Sequence, residues 1–245
     1  DIAVLEAWET LPHERLSPRA DTVASRMAVF RRLAHPDANS SMFGPIRILV
    51  MPVRSLIQPV VAGLGDVEPL VFHLGHELSL DKAVEQLVQN AYKRVDLVMD
   101  RGEFAVRGGI LDVFPPTAPH PIRIEFFGDE VDAIKEFNAS DQRTYGGNIP
   151  SVWATACREM QLNEQVRARA ESLVGQIPNA DDMLESIAQA IPIEGMESLL
   201  PALVDHLEAV PGMLPKHAVV MLCDPERLRR AAEALSKTAN AFLAA

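Results

Sequence analysis

Hydrophobic and polar positions alternate along this chain in three successive rhythms, and each rhythm predicts a different kind of structure. From Asp1 to Asp66 the pattern is that of an α/β fold, with Val4 and Leu5 closing a strand. Asp21 is placed to cap a helix over Thr22–Ala34 that carries Val23, Met27, Phe30 and Leu33 on one face, with Pro36 after it. Arg47–Val53 is a continuous apolar run, which predicts a strand covered on both faces in a parallel sheet. Gly63 and Gly65 then mark a turn.

From Val67 to Val152 the grammar changes. Pro69–Leu74 reads as a strand and Asp81–Tyr92 as a helix with Val84, Leu87, Val88 and Ala91 on one side. Short alternating segments follow at Arg94–Met99, Glu103–Val106, Ile110–Phe114, Ile122–Phe127 and Glu130–Phe137, separated by Gly-Gly, Pro-Pro and Gly-Asp turns. That order predicts an α+β domain with antiparallel neighbours. From Trp153 the chain turns mostly helical. Asn163 caps one helix, Asp181 or Asp182 starts another, and Pro201 opens a short one through Leu207. Ala218–Cys223 is again a continuous apolar run that predicts a strand, and Asp224-Pro225 supplies the cap and first position of a last helix. The outer stretches share one grammar. The predicted architecture is therefore an α/β parallel-sheet domain split in sequence (residues 1–66 and 153–245) around an inserted small α+β domain (residues 67–152).

Composition narrows the function classes. The chain has 48% hydrophobic and 23% charged residues and a net charge of −11, ordinary for a globular protein but poorly suited to gripping a nucleic-acid backbone. Two widely separated cysteines, Cys157 and Cys223, fit a reducing, cytoplasmic setting. No apolar run reaches the roughly 18 residues that a membrane span requires. The start at Asp1 shows no Met and no signal pattern and reads as the middle of a chain.

Catalytic motifs are not found. Neither G-x-x-x-x-G-K-[ST] nor G-x-G-x-x-G occurs, so no phosphate cradle is predicted. His73 and His76 lie three apart on a strand-like run, which sends their imidazoles to opposite faces and argues against a metal site. Asp224 and Glu226 follow an apolar run as the Mg²⁺-holding acids of many NTPases do. Pro225, however, occupies the position of the water-orienting acid, and capping accounts for Asp224. No catalytic residue, metal ligand or cofactor is therefore expected in this chain.

One segment carries a different signal. In Ile122–Phe127, period two places Ile122, Ile124 and Phe126 on one face and Arg123, Glu125 and Phe127 on the other. An exposed Arg beside an exposed Phe is a combination that protein interfaces use as anchors. Arg107, at the end of Glu103–Val106, can stand clear of the sheet and offer its fork to a partner's carboxylates.

The string R-G-E-F-x-V-R-G-x-I-L-D-V-F-P from Arg101, then P-I-R-I-E-F-F-G-D-E-V-D-x-I from Pro121 and D-Q-R-T from Asp141, closely resembles the UvrB-homology module of bacterial transcription-repair coupling factors (Mfd). Trp8 to Pro18 and Glu194 to Pro201 support the same resemblance. It implies a degenerate helicase-like ATPase domain in two pieces, flanking a UvrB domain 2-like insertion that binds UvrA, the damage-recognising ATPase of nucleotide-excision repair. By position in the shared motif, Arg107, Arg123 and Phe127 would contact UvrA. The resemblance also implies a parent protein that is an ATP-dependent DNA translocase, binding RNA polymerase and double-stranded DNA through other domains and using ATP and Mg²⁺ there. The rival reading is a UvrB-type ATP-dependent helicase fragment whose phosphate loop is missing from this chain.

Overall fold

A computed structural model describes residues 2–11, 14–37 and 44–243 of the chain. The fold is mixed α/β, in two compact units. One unites Asp1–Val67 with Glu197–Ala245, and the other is continuous, Glu68–Met196.

In the first unit, β1 (Ile2–Val4) pairs in parallel with β2 (Ile48–Val50), and α1 (Ala20–Ala34) lies between them in sequence. Helix α1 buries Val23, Met27 and Phe30 as its periodicity predicts. Its cap is Arg19 and not Asp21, which lies within the first turn, ion-paired to Arg19 at 2.6 Å. The Arg47–Val53 run does not become a strand covered on both faces. Only three of its residues pair, with β1 as their sole strand partner among the described residues, and Ile48 and Val50 are about half exposed. The short helix α2 (Val53–Ile57) leads to β3 (Pro59–Val61).

The second unit begins with β4 (Leu70–His73) and α3 (Leu80–Gln89), close to their predicted spans. A six-stranded sheet then forms from β5 (Lys93–Arg94), β6 (Glu103–Arg107), β7 (Ile110–Val113), β8 (Ile122–Phe127), β9 (Glu130–Phe137) and β10 (Thr144–Tyr145). Strands β6 to β10 meander antiparallel in sequence order. Two departures from expectation stand at the edge: β5 has two residues where Arg94–Met99 is predicted, and it runs parallel to β6. The inner face of the sheet is apolar, with Phe104, Leu111, Val113, Ile122, Ile124, Val131 and Ile134 all buried.

The predicted domain boundary at 152/153 falls inside this unit. Strand β11 (Ser151–Ala154) pairs with β4, and the chain after it remains tied to the end of α3, with Cys157 N donating to Asn90 O and Leu162 N to Gln89 O, both at 2.9 Å. Tyr92 adds a buried bond from its hydroxyl to Thr155 O at 2.8 Å. Helices α4 (Glu164–Leu173) and α5 (Asp181–Ala188) follow and pack on each other. Asn163 caps α4 as predicted, its side chain accepting from Val166 N at 3.0 Å.

Beyond Glu197 the chain belongs to the first unit. Helix α6 (Leu200–Leu203) stops early, and Leu207, predicted helical, lies in β12 (Leu207–Ala209), which pairs antiparallel with β3. A one-turn helix, α7 (Val210–Met213), follows. The run Ala218–Cys223 is not a strand: Val219 is 92% and Met221 83% exposed, and no strand of the described residues lies alongside to complete its ladder. Apolar character alone leaves strand hydrogen bonds unmade without a neighbour. Asp224 caps α8 (Pro225–Leu243) as expected, its carboxylate accepting from Arg227 N at 3.2 Å.

Candidate functional site

The outward-facing residues of β6, β7 and β8 are brought together by two tight hairpins. Between β6 and β7, Gly108 sits at φ +60°, a conformation that side chains disfavour. Gly109 comes so close to β8 that an added Cβ would stand 3.1 Å from Phe126 O, while its own carbonyl accepts from Phe126 N at 2.8 Å. The Gly-Gly pair is thus set by a turn and by a close strand approach. The β8–β9 hairpin turns at Gly128, also at positive φ, and shifts register between Glu125 and Phe126. This bulge leaves Phe127 beside the turn, 81% exposed.

Register places Asp112 of β7 directly opposite Arg123 of β8. Arg123 donates from Nε to Asp112 Oδ1 at 2.7 Å and from Nη2 to Oδ2 at 2.8 Å, a two-pronged contact. Its guanidinium also lies 4.9 Å from the centre of the Phe137 ring and donates to Gln142 O at 3.3 Å. Arg107 reaches the same carboxylate more loosely, Nη2 to Oδ2 at 3.4 Å. The Asp112 side chain is 2% exposed, that of Arg123 18% and that of Arg107 52%. The hydrogen bonds to Asp112 raise the pKa of Arg123 further above its already high value.

These values sort the three predicted residues. Phe127 is fully presented and Arg107 half presented. Arg123, expected to be exposed beside Phe127, is instead largely covered, because the buried Asp112 carboxylate and the Phe137 ring take up its fork and its face. One carboxylate thus holds two guanidiniums and leaves a local surplus of positive charge on a chain of net charge −11.

Asp112 and Gln142 were not singled out from sequence. An acid in the middle of Ile110–Phe114, otherwise apolar, is the signal that could have revealed Asp112, since a buried carboxylate demands a cation. Gln142 sits at φ +62°, and its amide donates to Ala139 O at 2.7 Å and to Val98 O at 3.1 Å, fixing the loop whose carbonyl meets Arg123.

The remaining candidates are structural. The His73 and His76 rings do not diverge: β4 ends at His73, Gly75 turns the chain at φ +77°, and the ring centres stand 5.0 Å apart. Among the described residues no group of three or more His, Cys, Asp and Glu side chains could hold a metal ion. Trp8 is buried, Glu9 accepts from Thr22 Oγ1, and Ser17 donates to Glu197 at 2.6 Å, so the early and late supporting fragments meet as scaffold. Pro12 and His13 of the early fragment lie outside the described residues. No helix of the described residues is long and apolar enough to cross a membrane.

Residues 70–152 match the family model of the UvrB interaction domain. Over its whole length the chain is 47% identical to the transcription-repair-coupling factors of Mycobacterium bovis and Mycobacterium tuberculosis, covering 20% of each. It is 32% identical to that of Myxococcus xanthus, across 94% of the chain and 20% of the relative. The chain thus corresponds to about a fifth of the length of these curated relatives. Over its whole length the chain is thus a homologue of a segment of the transcription-repair-coupling factors, and residues 70–152 match the UvrB interaction domain.

Proposed function

We propose that this chain is the UvrA-recruiting module of a transcription-repair coupling factor, presenting to UvrA the surface that UvrB would present. The observation that carries this reading is Phe127, a large apolar side chain 81% exposed beside a tight hairpin turn inside the matched domain. Apolar anchors of this kind supply most of an interface's binding energy. Arg107 adds a half-exposed cation for a partner's carboxylates, and Arg123 supports the surface from behind through Asp112. The first unit serves as a degenerate ATPase-like scaffold without catalysis or cofactor. In the parent protein, other domains would bind RNA polymerase and double-stranded DNA and use ATP and Mg²⁺, in the cytoplasm.

A pull-down of UvrA by wild type and by Arg107→Glu, Arg123→Glu and Phe127→Ala tests the docking site, with folding checked by circular dichroism. Undiminished capture by all three folded variants rules the assignment out. The helicase reading is separated by titrating ATP-Mg²⁺ into a chain extended upstream, where saturable binding would overturn the adaptor reading.

A further inference from the structure

We propose that the cleft where β5 leaves β6 receives a carboxylate from an acidic segment of the docking partner, held between Arg94 and Arg107. This rests on the reading of the chain as a UvrA-docking module and adds a residue that the shared motif does not contain. The parallel pairing of β5 with β6 ends at Arg94 opposite Phe104, and the last bond runs from Val95 N to Phe104 O at 2.9 Å. Strand β6 continues to Arg107, whereas residues 96–100 turn away from it. Ladder alternation directs the Val106 N–H and C=O to the side away from β7, and no strand of the described residues stands opposite them there. The result is an open cleft of about 500 Å³ lined by Arg94, Val95, Asp96, Val106 and Arg107.

Its charge argues for the occupant. Arg94 is exposed, and no ion pair among the described residues engages it. Arg107 holds Asp112 only at 3.4 Å, because Arg123 already occupies both oxygens of that carboxylate. Two arginines without a full ion pair, lining one cleft on an acidic chain, fit a carboxylate, to which Arg offers paired donors. Asp96 lines the same cleft and opposes an incoming acid, so it predicts an effect of opposite sign.

The test measures UvrA capture by the full chain for wild type, Arg94→Glu, Arg94→Lys, Asp96→Asn and Phe127→Ala at two salt concentrations. Arg94→Glu should weaken capture about tenfold and Arg94→Lys less, while Asp96→Asn should tighten it about twofold, with differences shrinking at high salt. Unchanged capture by folded Arg94→Glu, or weaker capture by Asp96→Asn, overturns the inference while a loss in Phe127→Ala leaves the docking reading standing. Absence of capture by wild type overturns the docking reading, and this inference with it.

Discussion

Asp112 and Arg123 face each other across β7 and β8, joined by two hydrogen bonds of 2.7 and 2.8 Å, with the carboxylate almost wholly removed from solvent. Breaking such a pair from one side leaves a charge without its partner, which costs more than the pair contributes. Arg123→Ala should therefore lower unfolding free energy by about 3 kcal/mol. Asp112→Asn, which keeps the shape and removes the charge, should cost about 1–3 kcal/mol. Urea unfolding followed by circular dichroism measures both. A loss under half a kcal/mol for Arg123→Ala would show that the pair contributes no stability.

Phe127 separates stability from binding more cleanly. At 81% exposure its truncation removes little packing, so Phe127→Ala should change stability by no more than about 0.5 kcal/mol. Capture of UvrA by the same variant should fall by about 2 kcal/mol, roughly thirtyfold. A pull-down or calorimetric titration beside a urea curve reads the two effects separately.

The β6–β7 turn offers a backbone test. Gly108 adopts φ +60° with open space where a Cβ would stand, so Gly108→Ala meets backbone strain and no clash. The expected cost is about 1–2 kcal/mol in chemical unfolding. Asn tolerates the left-handed region better than Ala, so Gly108→Asn should recover part of that loss.

The two cysteines should differ in reactivity. Cys157 is buried, and burial pushes its thiol well above the usual range, whereas Cys223 is exposed. A maleimide should modify one thiol in the native protein and two in denaturant. The same shift gives a pH dependence. Below the ordinary thiol pKa of about 8.5 both folded and unfolded Cys157 are neutral and its contribution is level. Above that value only the unfolded state ionises, so stability should fall as pH rises, and Cys157→Ala should flatten that alkaline slope.

The sequence by itself determined the meander of β6 to β9, the apolar inner face of its sheet, the caps Asn163 and Asp224, and the string by which the family is recognised. These are local features. Period two, glycine turns and capping side chains act within a few residues, so the chain order carries them. Only the tertiary structure decided which apolar runs become buried strands: Arg47–Val53 and Ala218–Cys223 carry the pattern yet lack the neighbours, and a strand exists only by pairing. It also decided that residues 153–196 remain with the middle unit, through β11 pairing across to β4 and bonds back to the end of α3. At the site, periodicity placed Arg123 and Phe127 on one face of the sheet, and the strand end beside the Gly-Gly turn picked out Arg107. How far the two arginines stand free was set by Asp112, a residue eleven positions from Arg123 in sequence and directly opposite it in the sheet, because the demand of a buried carboxylate for a cation is met by whatever the register brings across.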